Sequence, residues 1–460
     1  KYMVAIIEIV CTLLVIFLLV YGIIKKFNTP TLMLAIGLIS LIIYSLVTGT
    51  SVLGDKTTGS TFLDVFELVK NKFSSNLSGT CLLIMSVMGF VKYLDHIKAS
   101  KLLALYAAKP LKKLGKPYLV CALGIVIASV LKLCVPSASG LSSLLMATMY
   151  PLFIAAGCTK LTAITAINIG VCFDLGPACP ITTWACSQEP VAALTDVTSF
   201  FVNYQLWRTA IVILVSIIVF VIVNKRADQK LGAVDAEEIE EVDPKSLGVP
   251  AFYAVLPLLP LVLVLVFSKL ITGIVLSVPA ANFLGFTVAF IVNLICAKGD
   301  KKAVFNGGGE FWKGMGASMA NVVCLICCAS VFSAGLDIIG GTKLLMSAIG
   351  NSSLGGYLIV FFAATVNFLM VVVTGSGVAS SYAILPMLYP AVEASNINLL
   401  VVVFAIVASG GLGRAVSPVA ANNIIVCSST GSDVMEVSKR GTLPMVCSFV
   451  VMLVLALIAL

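Results

Sequence analysis

The chain has 460 residues, of which 60% are apolar and 11% are charged. Soluble proteins carry about a quarter charged residues, so this chain has too little polar surface to face water on all sides. The single histidine, His96, argues against histidine-based catalytic triads and zinc centres, and neither a phosphate-binding loop nor an H-E-x-x-H motif is present. We therefore expect a membrane protein that is not an enzyme and that has no catalytic residues, metal site or cofactor.

Eight stretches are long enough to cross a hydrocarbon core of about 30 Å, which takes roughly 20 apolar residues of helix. Their apolar runs are continuous rather than alternating, which favours an all-α polytopic protein over a barrel. In chain order they are Met3–Ile24, Thr29–Val47, Leu77–Leu94, Tyr204–Val223, Pro250–Phe267, Val278–Ala297, Met315–Ile338 and Thr442–Leu460. The first lacks a basic start and a small-residue cleavage site, so we expect a retained helix rather than a signal peptide.

Fourteen cysteines are present, and most of them lie inside apolar segments. Cys324, Cys327 and Cys328 include a C-x-x-C spacing that could indicate metal or redox chemistry. Within an apolar helix, we expect these cysteines to be small packing residues in a reduced setting.

Two parts of the chain resemble each other in order. Leu94–Leu103 matches Leu336–Leu345 at six of ten positions. Five later landmarks, Tyr118, Ser137, Ser142, Tyr150 and Pro151, recur as Tyr357, Ser376, Ser381, Tyr389 and Pro390. We infer a duplication, with a first repeat over residues 1–224 and a second over residues 249–460. The acidic stretch between them, residues 225–248, is expected to be a solvated linker.

Each repeat has the same order of segments: three spans, a short basic segment, a helical hairpin, a span broken by Gly and Pro, and a last span. The hairpins are predicted at Tyr118–Ala156 and Tyr357–Val392, and the broken spans at Leu161–Cys186 and Leu399–Cys427. The breaks themselves are expected at Gly176-Pro177 and around Gly410–Pro418. A re-entrant hairpin adds no net crossing, so each repeat has five transmembrane helices and the two repeats are inverted, as in many secondary transporters.

Basic residues are unevenly divided between the two faces that this topology creates. One face receives 20 and the other receives seven of the 29 lysines and arginines. Because basic loops remain in the cytoplasm, the richer face is expected to be cytoplasmic. Both termini would then lie outside and the central linker inside. The net charge of +8 reflects this bias, so nucleic acid is not expected as a partner.

Two basic residues, Lys132 and Arg414, fall within predicted membrane segments. A charge at the bilayer centre costs about 2.5–3.5 kcal/mol on insertion scales, so it usually has a partner or a task. Asp174, in the first break, is a candidate partner for either residue. We expect Arg414, in the second break, to contact substrate. Lys132 precedes the first hairpin turn and could contact substrate or hold the hairpin.

The two hairpin turns and the two breaks interrupt helices inside the membrane. Unwound backbone survives in lipid only where it is buried in protein or lines a water-filled cavity. Each interruption also begins a new half-helix, whose N-terminal N–H groups carry about half a positive charge and bind anions. Two matched turns suit a substrate with an anionic group at each end. We therefore predict an anion-binding site near the bilayer midplane.

Six groups of residues, spread over nearly the whole chain, form a specific series. They are Gly89-Phe90 with Asp95-His96-Ile97, Ser137-Ala138-Ser139-Gly140-Leu141, Pro250-Ala251-Phe252-Tyr253-Ala254, Ala320-Asn321-Val322-Val323, Thr374-Gly375-Ser376-Gly377, and Leu412-Gly413-Arg414 with Ser417-Pro418. This series resembles the anaerobic C4-dicarboxylate carriers of the DcuC family. The chain departs from the family pattern at Asp174, which comes earlier in the first break than the family's usual acid, and at Lys132.

The resemblance implies membership of the ion-transporter superfamily, with a scaffold domain and a moving, elevator-type transport domain that carries the two re-entrant hairpins. It also implies a homodimer formed through the scaffold, in the bacterial cytoplasmic (inner) membrane. The predicted substrate ligands are Ser137, Ala138, Ser139, Gly140, Thr374, Gly375, Ser376, Gly377, Gly413, Arg414, Ser417 and Pro418. The further candidates are Lys132, Asp174, Gly176, Thr182, Thr183 and Asn422.

We expect a secondary active transporter of succinate, fumarate or malate that works by exchange, or by symport or efflux coupled to Na⁺ or H⁺. Two alternatives stay open at the level of sequence. One is a carrier for another organic anion, such as an acidic amino acid. The other is a cation–proton antiporter of the same superfamily, for which Asp174 is the main candidate acid.

Overall fold

The computed structural model describes residues 10–460 except 13, 16, 20, 23, 24, 26, 78–80, 114, 232–242, 268–270, 275, 298–300, 341–354 and 396. Within these ranges the chain forms helices and turns, without a strand. Much of the first predicted span, the acidic run of the linker and the second half of the later repeated decapeptide lie outside the described residues.

Nineteen helices carry the architecture described below. They are α1 (Thr29–Thr48), α2 (Thr61–Asn76), α3 (Leu82–His96), α4 (Ala99–Ala108), α5 (Pro117–Leu131), α6 (Ala138–Thr148), α7 (Tyr150–Ala155), α8 (Lys160–Gly170), α9 (Pro180–Ser187), α10 (Trp207–Leu231), α11 (Leu259–Val266), α12 (Val278–Cys296), α13 (Lys301–Ser318), α14 (Cys324–Ile338), α15 (Gly355–Thr374), α16 (Gly377–Ala394), α17 (Leu399–Val416), α18 (Ala421–Ser428) and α19 (Val434–Ile458). Two π-helical turns, Phe201–Leu206 and Met319–Val323, lead into α10 and α14.

Short polar side chains begin many of these helices. Asn28, Ser137, Thr159 and Asp433 each accept a hydrogen bond from a backbone N–H in the first turn of the helix that follows. Such caps satisfy N–H groups that have no partner within the helix, and they fix where an apolar run starts to coil.

Several helices are long and apolar enough to cross a membrane. The described residues contain six such segments by length and composition: Thr29–Thr48, Val197–Lys230, Val278–Cys296, Gly355–Thr374, Leu399–Ser428 and Val434–Ile458. The prediction of an all-α protein with several apolar membrane-spanning helices is thus confirmed. Of the apolar window in Leu399–Ser428, 89% is buried inside the protein, so this segment is surrounded by other helices rather than by lipid.

The helices pack into two groups, and each group draws on both halves of the chain. In the first group, α1 packs against α14, while α3 packs against α12 and α13. In the second group, α10 and α17 pack against α19, α15 against α17, and α6 against α18. The two groups touch where α4 meets α5 and α6, where α3 meets α9 and where α14 meets α16. The predicted hairpins and broken spans all lie in the second group, while the inverted orientation of the two repeats stays a prediction.

Three segments differ from what the sequence pattern indicates. Helix α10 continues into the predicted linker as far as Leu231, because Asp228 is not solvated but buried against Arg440. Helix α2, an amphipathic segment, was not predicted. Part of the apolar run Pro250–Phe267 is 3₁₀-helical, over Ala251–Leu258, with Pro257 inside it; the proline removes a backbone donor from a regular helix.

Candidate functional site

Four interrupted segments of the second helix group meet around one cavity of about 210 Å³. Its lining includes residues from both hairpin turns and both breaks: Pro136, Ser137, Ala138, Ser139, Asp174, Cys179, Pro180, Gly375, Ser376, Gly377, Arg414, Ala421 and Asn422. Met88, Ile181, Val322 and Val378 complete the wall. The segments come from distant parts of the chain, so the cavity exists only because the two halves pack together.

Four helices begin at the wall of this cavity. Their first residues, Ala138 of α6, Pro180 of α9, Gly377 of α16 and Ala421 of α18, all line it. Each helix N-terminus carries about half an elementary positive charge on N–H groups without an intrahelical partner. The convergence of four such ends favours an anion in the cavity.

The first hairpin turn is held by a lysine. Lys132, at the end of α5, donates a hydrogen bond from Nζ to the carbonyl oxygen of Pro136 over 2.6 Å. Ser137 then caps α6 by accepting a hydrogen bond from the N–H of Gly140 at 3.1 Å. Lys132 is buried and does not itself line the cavity, so the structure places it behind the turn.

The first break separates α8 from α9. Gly176 has φ +89°, a conformation that favours glycine. Its N–H donates to Oε1 of Gln205 at 3.1 Å, and Nε2 of the same glutamine donates to Thr182 Oγ1 at 2.8 Å. Thr183 donates its hydroxyl to the carbonyl oxygens of Pro177 and Cys179. These side chains shape the break from behind, and they do not line the cavity.

Gln205 is a site-supporting residue that the sequence analysis missed. It is buried and lies in the π-helical turn Phe201–Leu206. A π-helical turn is often found near functional sites. The only sequence signal was a glutamine in the apolar span Tyr204–Val223, where a buried amide requires partners.

The second hairpin turn approaches the second break so closely that glycine is required. Gly375 has φ +74°, and a Cβ built there would lie 2.8 Å from the backbone nitrogen of Ala420. A Cβ on Gly377 would lie 2.6 Å from the carbonyl oxygen of Gly410. Ser376 caps α16 by accepting from the N–H of Ala379. Glycines therefore let two backbones touch at the cavity wall.

The second break lies later than predicted. Gly410, Gly411, Gly413 and Arg414 are part of α17, which ends at Val416, and the unwound residues are 417–420. A helix tolerates these glycines, and here they serve close packing: a Cβ on Gly411 would lie 2.3 Å from the carbonyl oxygen of Cys172. The helix stops just before Pro418, because proline cannot supply a backbone N–H.

Three buried charged groups stand in a row at one side of the cavity. Arg414 donates from one terminal nitrogen to Oδ2 of Asp174 at 2.5 Å. Oδ1 of Asp174 lies 3.6 Å from Nζ of Lys132. Among the described residues, Arg414 Nε has no hydrogen-bond partner although it is buried. Arginine has five N–H donors, so it can bind a second carboxylate beside Asp174.

Two asparagines join the breaks to each other. Asn422 donates its side-chain amide to Asn168 Oδ1 at 2.6 Å, and Asn168 donates to the carbonyl oxygen of Ala415 at 3.0 Å. Asn422 also lines the cavity, whereas Asn168 lies behind it in α8. Asn168 was not predicted, since a single asparagine in an apolar helix carries no spacing signal.

The structure thus divides the predicted site residues into two sets. Those that line the cavity are Ser137, Ala138, Ser139, Asp174, Gly375, Ser376, Gly377, Arg414 and Asn422. Those that stand behind it or beside it are Lys132, Gly140, Gly176, Thr182, Thr183, Thr374, Gly413, Ser417 and Pro418. Their roles toward a substrate stay predictions.

Another cavity, of about 330 Å³, lies away from the breaks. Lys72, Asn76, Glu189 and Pro279 are among the residues that line it. Neither a hairpin turn nor Arg414 reaches it. In the described part of the chain, His, Cys, Asp and Glu residues form no group of three that could hold a metal ion.

Comparison with known proteins identifies the family. The family profile of the C4-dicarboxylate anaerobic carriers (DcuC) matches residues 7–460. The anaerobic C4-dicarboxylate transporter DcuC of Escherichia coli K12 is 28% identical over 443 residues, which cover 94% of this chain and 92% of the relative. A probable DcuC of Vibrio cholerae is 27% identical over 464 residues, which cover 98% and 97%.

Two solved transporters share the fold. MtrF of Neisseria gonorrhoeae, described with a class of antimetabolite efflux pumps, aligns with a TM-score of 0.58 at 15% identity and covers 95% of this chain and 96% of its own. The YdaH transporter of Alcanivorax borkumensis aligns with a TM-score of 0.57 at 15% identity and covers 93% and 98%. The chain therefore has the fold of membrane transporters, and by its full-length match it belongs to the DcuC family of C4-dicarboxylate carriers, which are transporters and not enzymes.

Proposed function

We propose that the chain is a secondary active transporter that binds C4 dicarboxylates such as succinate, fumarate and malate in the 210 Å³ cavity. One observation supports this above all: four helix N-termini and the buried guanidinium of Arg414 converge there. A dicarboxylate at neutral pH carries two negative charges. One carboxylate would lie on the free N–H groups of Arg414 and the other on the helix N-termini of the hairpins.

The division of the helices into two groups supports an elevator-type movement. Apart from Met88 and Val322, the residues that line the cavity belong to the second group. The two groups meet where α4 contacts α5 and α6, where α3 contacts α9 and where α14 contacts α16. A body that carries both hairpin turns, both breaks and Arg414 can slide past the first group without separating these parts of the site. The first group would then act as the scaffold and form the interface of a homodimer in the bacterial inner membrane, with both termini outside and the linker in the cytoplasm.

Transport by reconstituted protein tests the site. We expect labelled succinate uptake into succinate-loaded liposomes, and a loss of at least about 30-fold in Arg414→Ala, since a buried charge-assisted contact to a ligand is worth about 2–5 kcal/mol or more. Arg226→Ala is the control and should keep uptake, because Arg226 is an exposed arginine of α10 that does not line the cavity. Wild-type uptake rates in Arg414→Ala would rule out this site.

Counterflow with a panel of anions separates the substrate classes. Dicarboxylates of four carbons should outcompete monocarboxylates and acidic amino acids, and repeating the assay with and without sodium tests the coupling ion. The antiporter alternative requires a buried acid that is free to titrate. Asp174 is buried but paired with Arg414, which favours the anion carrier.

A further inference from the structure

The row of buried charges at the cavity contains more positive than negative groups. Lys132 and Arg414 flank Asp174, and each of the three is less than a tenth exposed. Among the described residues that line the cavity, Asp174 is the acidic one. It touches Arg414 at 2.5 Å but stands 3.6 Å from Lys132, which is longer than a good hydrogen bond. The Asp174 carboxylate is therefore hydrogen-bonded to Arg414 and not to Lys132.

The contact with Asp174 occupies only some of the hydrogen-bond donors of Arg414. Its Nε is buried and has no hydrogen-bond partner within the described residues, and Arg414 borders the cavity. An unsatisfied buried donor costs about 1–3 kcal/mol, so an incoming acceptor is favoured there. A second carboxylate on the same guanidinium would stand close to Asp174, and two like charges in one low-dielectric site repel each other.

Lys132 offers Asp174 an alternative partner. Its Nζ already donates to the carbonyl oxygen of Pro136, but an ammonium group has three donors. A side-chain movement of under about 1 Å would bring Asp174 Oδ1 within hydrogen-bond distance of Nζ. The Asp174 carboxylate would then still be paired with a cation after it leaves Arg414. Because Lys132 Nζ also binds the carbonyl oxygen of Pro136, the movement would be transmitted to the first hairpin turn.

We propose that Asp174 is a built-in counter-ion that occupies Arg414 when the site is empty, is displaced by a substrate carboxylate, and moves onto Lys132. The inference rests on the proposed function, because it assigns the mechanism by which the same site admits its anion. Arg414 remains paired in both states, so an empty carrier does not expose an uncompensated buried charge. A site that competes with its own carboxylate binds substrate less tightly than the bare arginine would, which favours release.

Binding and exchange in Asp174→Asn test the displacement. The variant keeps the shape of the side chain but removes the competing charge, so the Kd for succinate should fall by at least about tenfold, or about 1.4 kcal/mol. Succinate exchange should slow at the same time, because release is no longer assisted. Asp228→Asn is the matched control: it also leaves a buried arginine without its aspartate, outside the cavity, and its Kd should match that of wild type.

A double variant keeps the test informative if Asp174→Asn folds poorly. Lys132→Met with Asp174→Asn removes one charge of each sign, so the net charge of the row is unchanged, and it should also bind succinate more tightly than wild type does. An unchanged or weaker affinity in whichever variants fold would overturn the displacement. If wild-type protein itself fails to bind succinate, the proposed function fails instead, so the two failures are distinct.

Discussion

Two buried aspartate–arginine pairs, Asp174–Arg414 and Asp228–Arg440, join distant parts of the second helix group. Their ion-pair distances are 2.5 Å and 2.6 Å. Their surroundings differ. Asp228 accepts three further hydrogen bonds, from the hydroxyls of Tyr118, Thr159 and Thr162. Asp174 faces a second cation and an open cavity.

The difference shows which pair can change partners. Arg440 also donates to Thr162 and Asn224, so both members of the Asp228–Arg440 pair are well supplied with partners. A buried charge with several hydrogen bonds stays where it is, because any movement leaves several groups unsatisfied. Arg414 retains an unpaired donor, and its carboxylate has a second cation within reach. We therefore regard one pair as structural and the other as exchangeable.

The largest expected effect on stability comes from breaking the structural pair. Arg440→Ala leaves Asp228 charged and buried, which should lower the free energy of unfolding by about 3–5 kcal/mol. Chemical unfolding in detergent measures this change. Succinate should raise the free energy of unfolding of wild type and variant equally, because the pair lies outside the cavity, so the difference between them should persist. A difference that shrinks when succinate is added would mean that the two pairs are not separate.

The next effect concerns the close contact that holds Asp174 near Arg414. A Cβ on Gly411 would lie 2.3 Å from the carbonyl oxygen of Cys172 and 3.4 Å from Asp174 Oδ2. Gly411→Ala should cost up to about 3 kcal/mol by overpacking and should weaken succinate binding, because α17 must move away from the first break. Gly316→Ala, at a helical glycine with open space around it, is the control and should keep stability and binding. Equal effects in both variants would contradict the contact.

A smaller effect is expected at the glutamine that supports the first break. Gln205→Met removes the acceptor for the Gly176 N–H and the donor to Thr182, at about 1 kcal/mol for each lost hydrogen bond. Because the break carries Asp174, the KM for succinate should change more than the maximal rate. Gln188→Met, at a partly exposed glutamine beyond α9, is the control. A purely structural role for Gln205 would lower the amount of folded protein and leave KM unchanged.

The smallest effect concerns an acid that is held by neutral donors only. Burial would raise the pKa of Asp64, but hydrogen bonds from Ser51, Thr57 and Thr58 outweigh it and hold the pKa below its ordinary value of 3.8. Its contribution to stability is therefore complete above that value and is lost as the pH falls toward the lower, folded-state pKa. Thermal unfolding of wild type and Asp64→Asn should differ at pH 6 and converge in acid. A difference that grows in acid would contradict this assignment.

The sequence predicted the helices and most of the interruptions because these depend on local chemistry. Apolar runs coil wherever backbone groups cannot reach water, which is why α1 and α12 begin and end within a residue of their predicted limits. The turn at Gly375 and the break at Gly176 require a left-handed backbone conformation, which a glycine in the sequence indicates directly. The same reasoning was wrong for Gly410–Gly413, where it predicted a break. These glycines lie within α17 and allow close packing against neighbouring segments instead.

The supporting residues could not be predicted in the same way. Gln205 and Asn168 act through partners 29 and 247 residues away along the chain. The burial of Arg440 likewise depends on Asp228 in another helix. No spacing in a single sequence encodes such pairs, because they arise only when separate helices pack.

Hydrophobic length and the positions of glycine, proline and charge are properties of the chain itself. They determined its class and its helices, and they predict which residues bind an anion. The tertiary structure alone decided that four helix N-termini share one cavity and that Asp174 lies between Lys132 and Arg414. The physical reason is that a buried charge takes whichever partner packing brings within a few ångströms, and that partner is set by the fold rather than by neighbours in sequence.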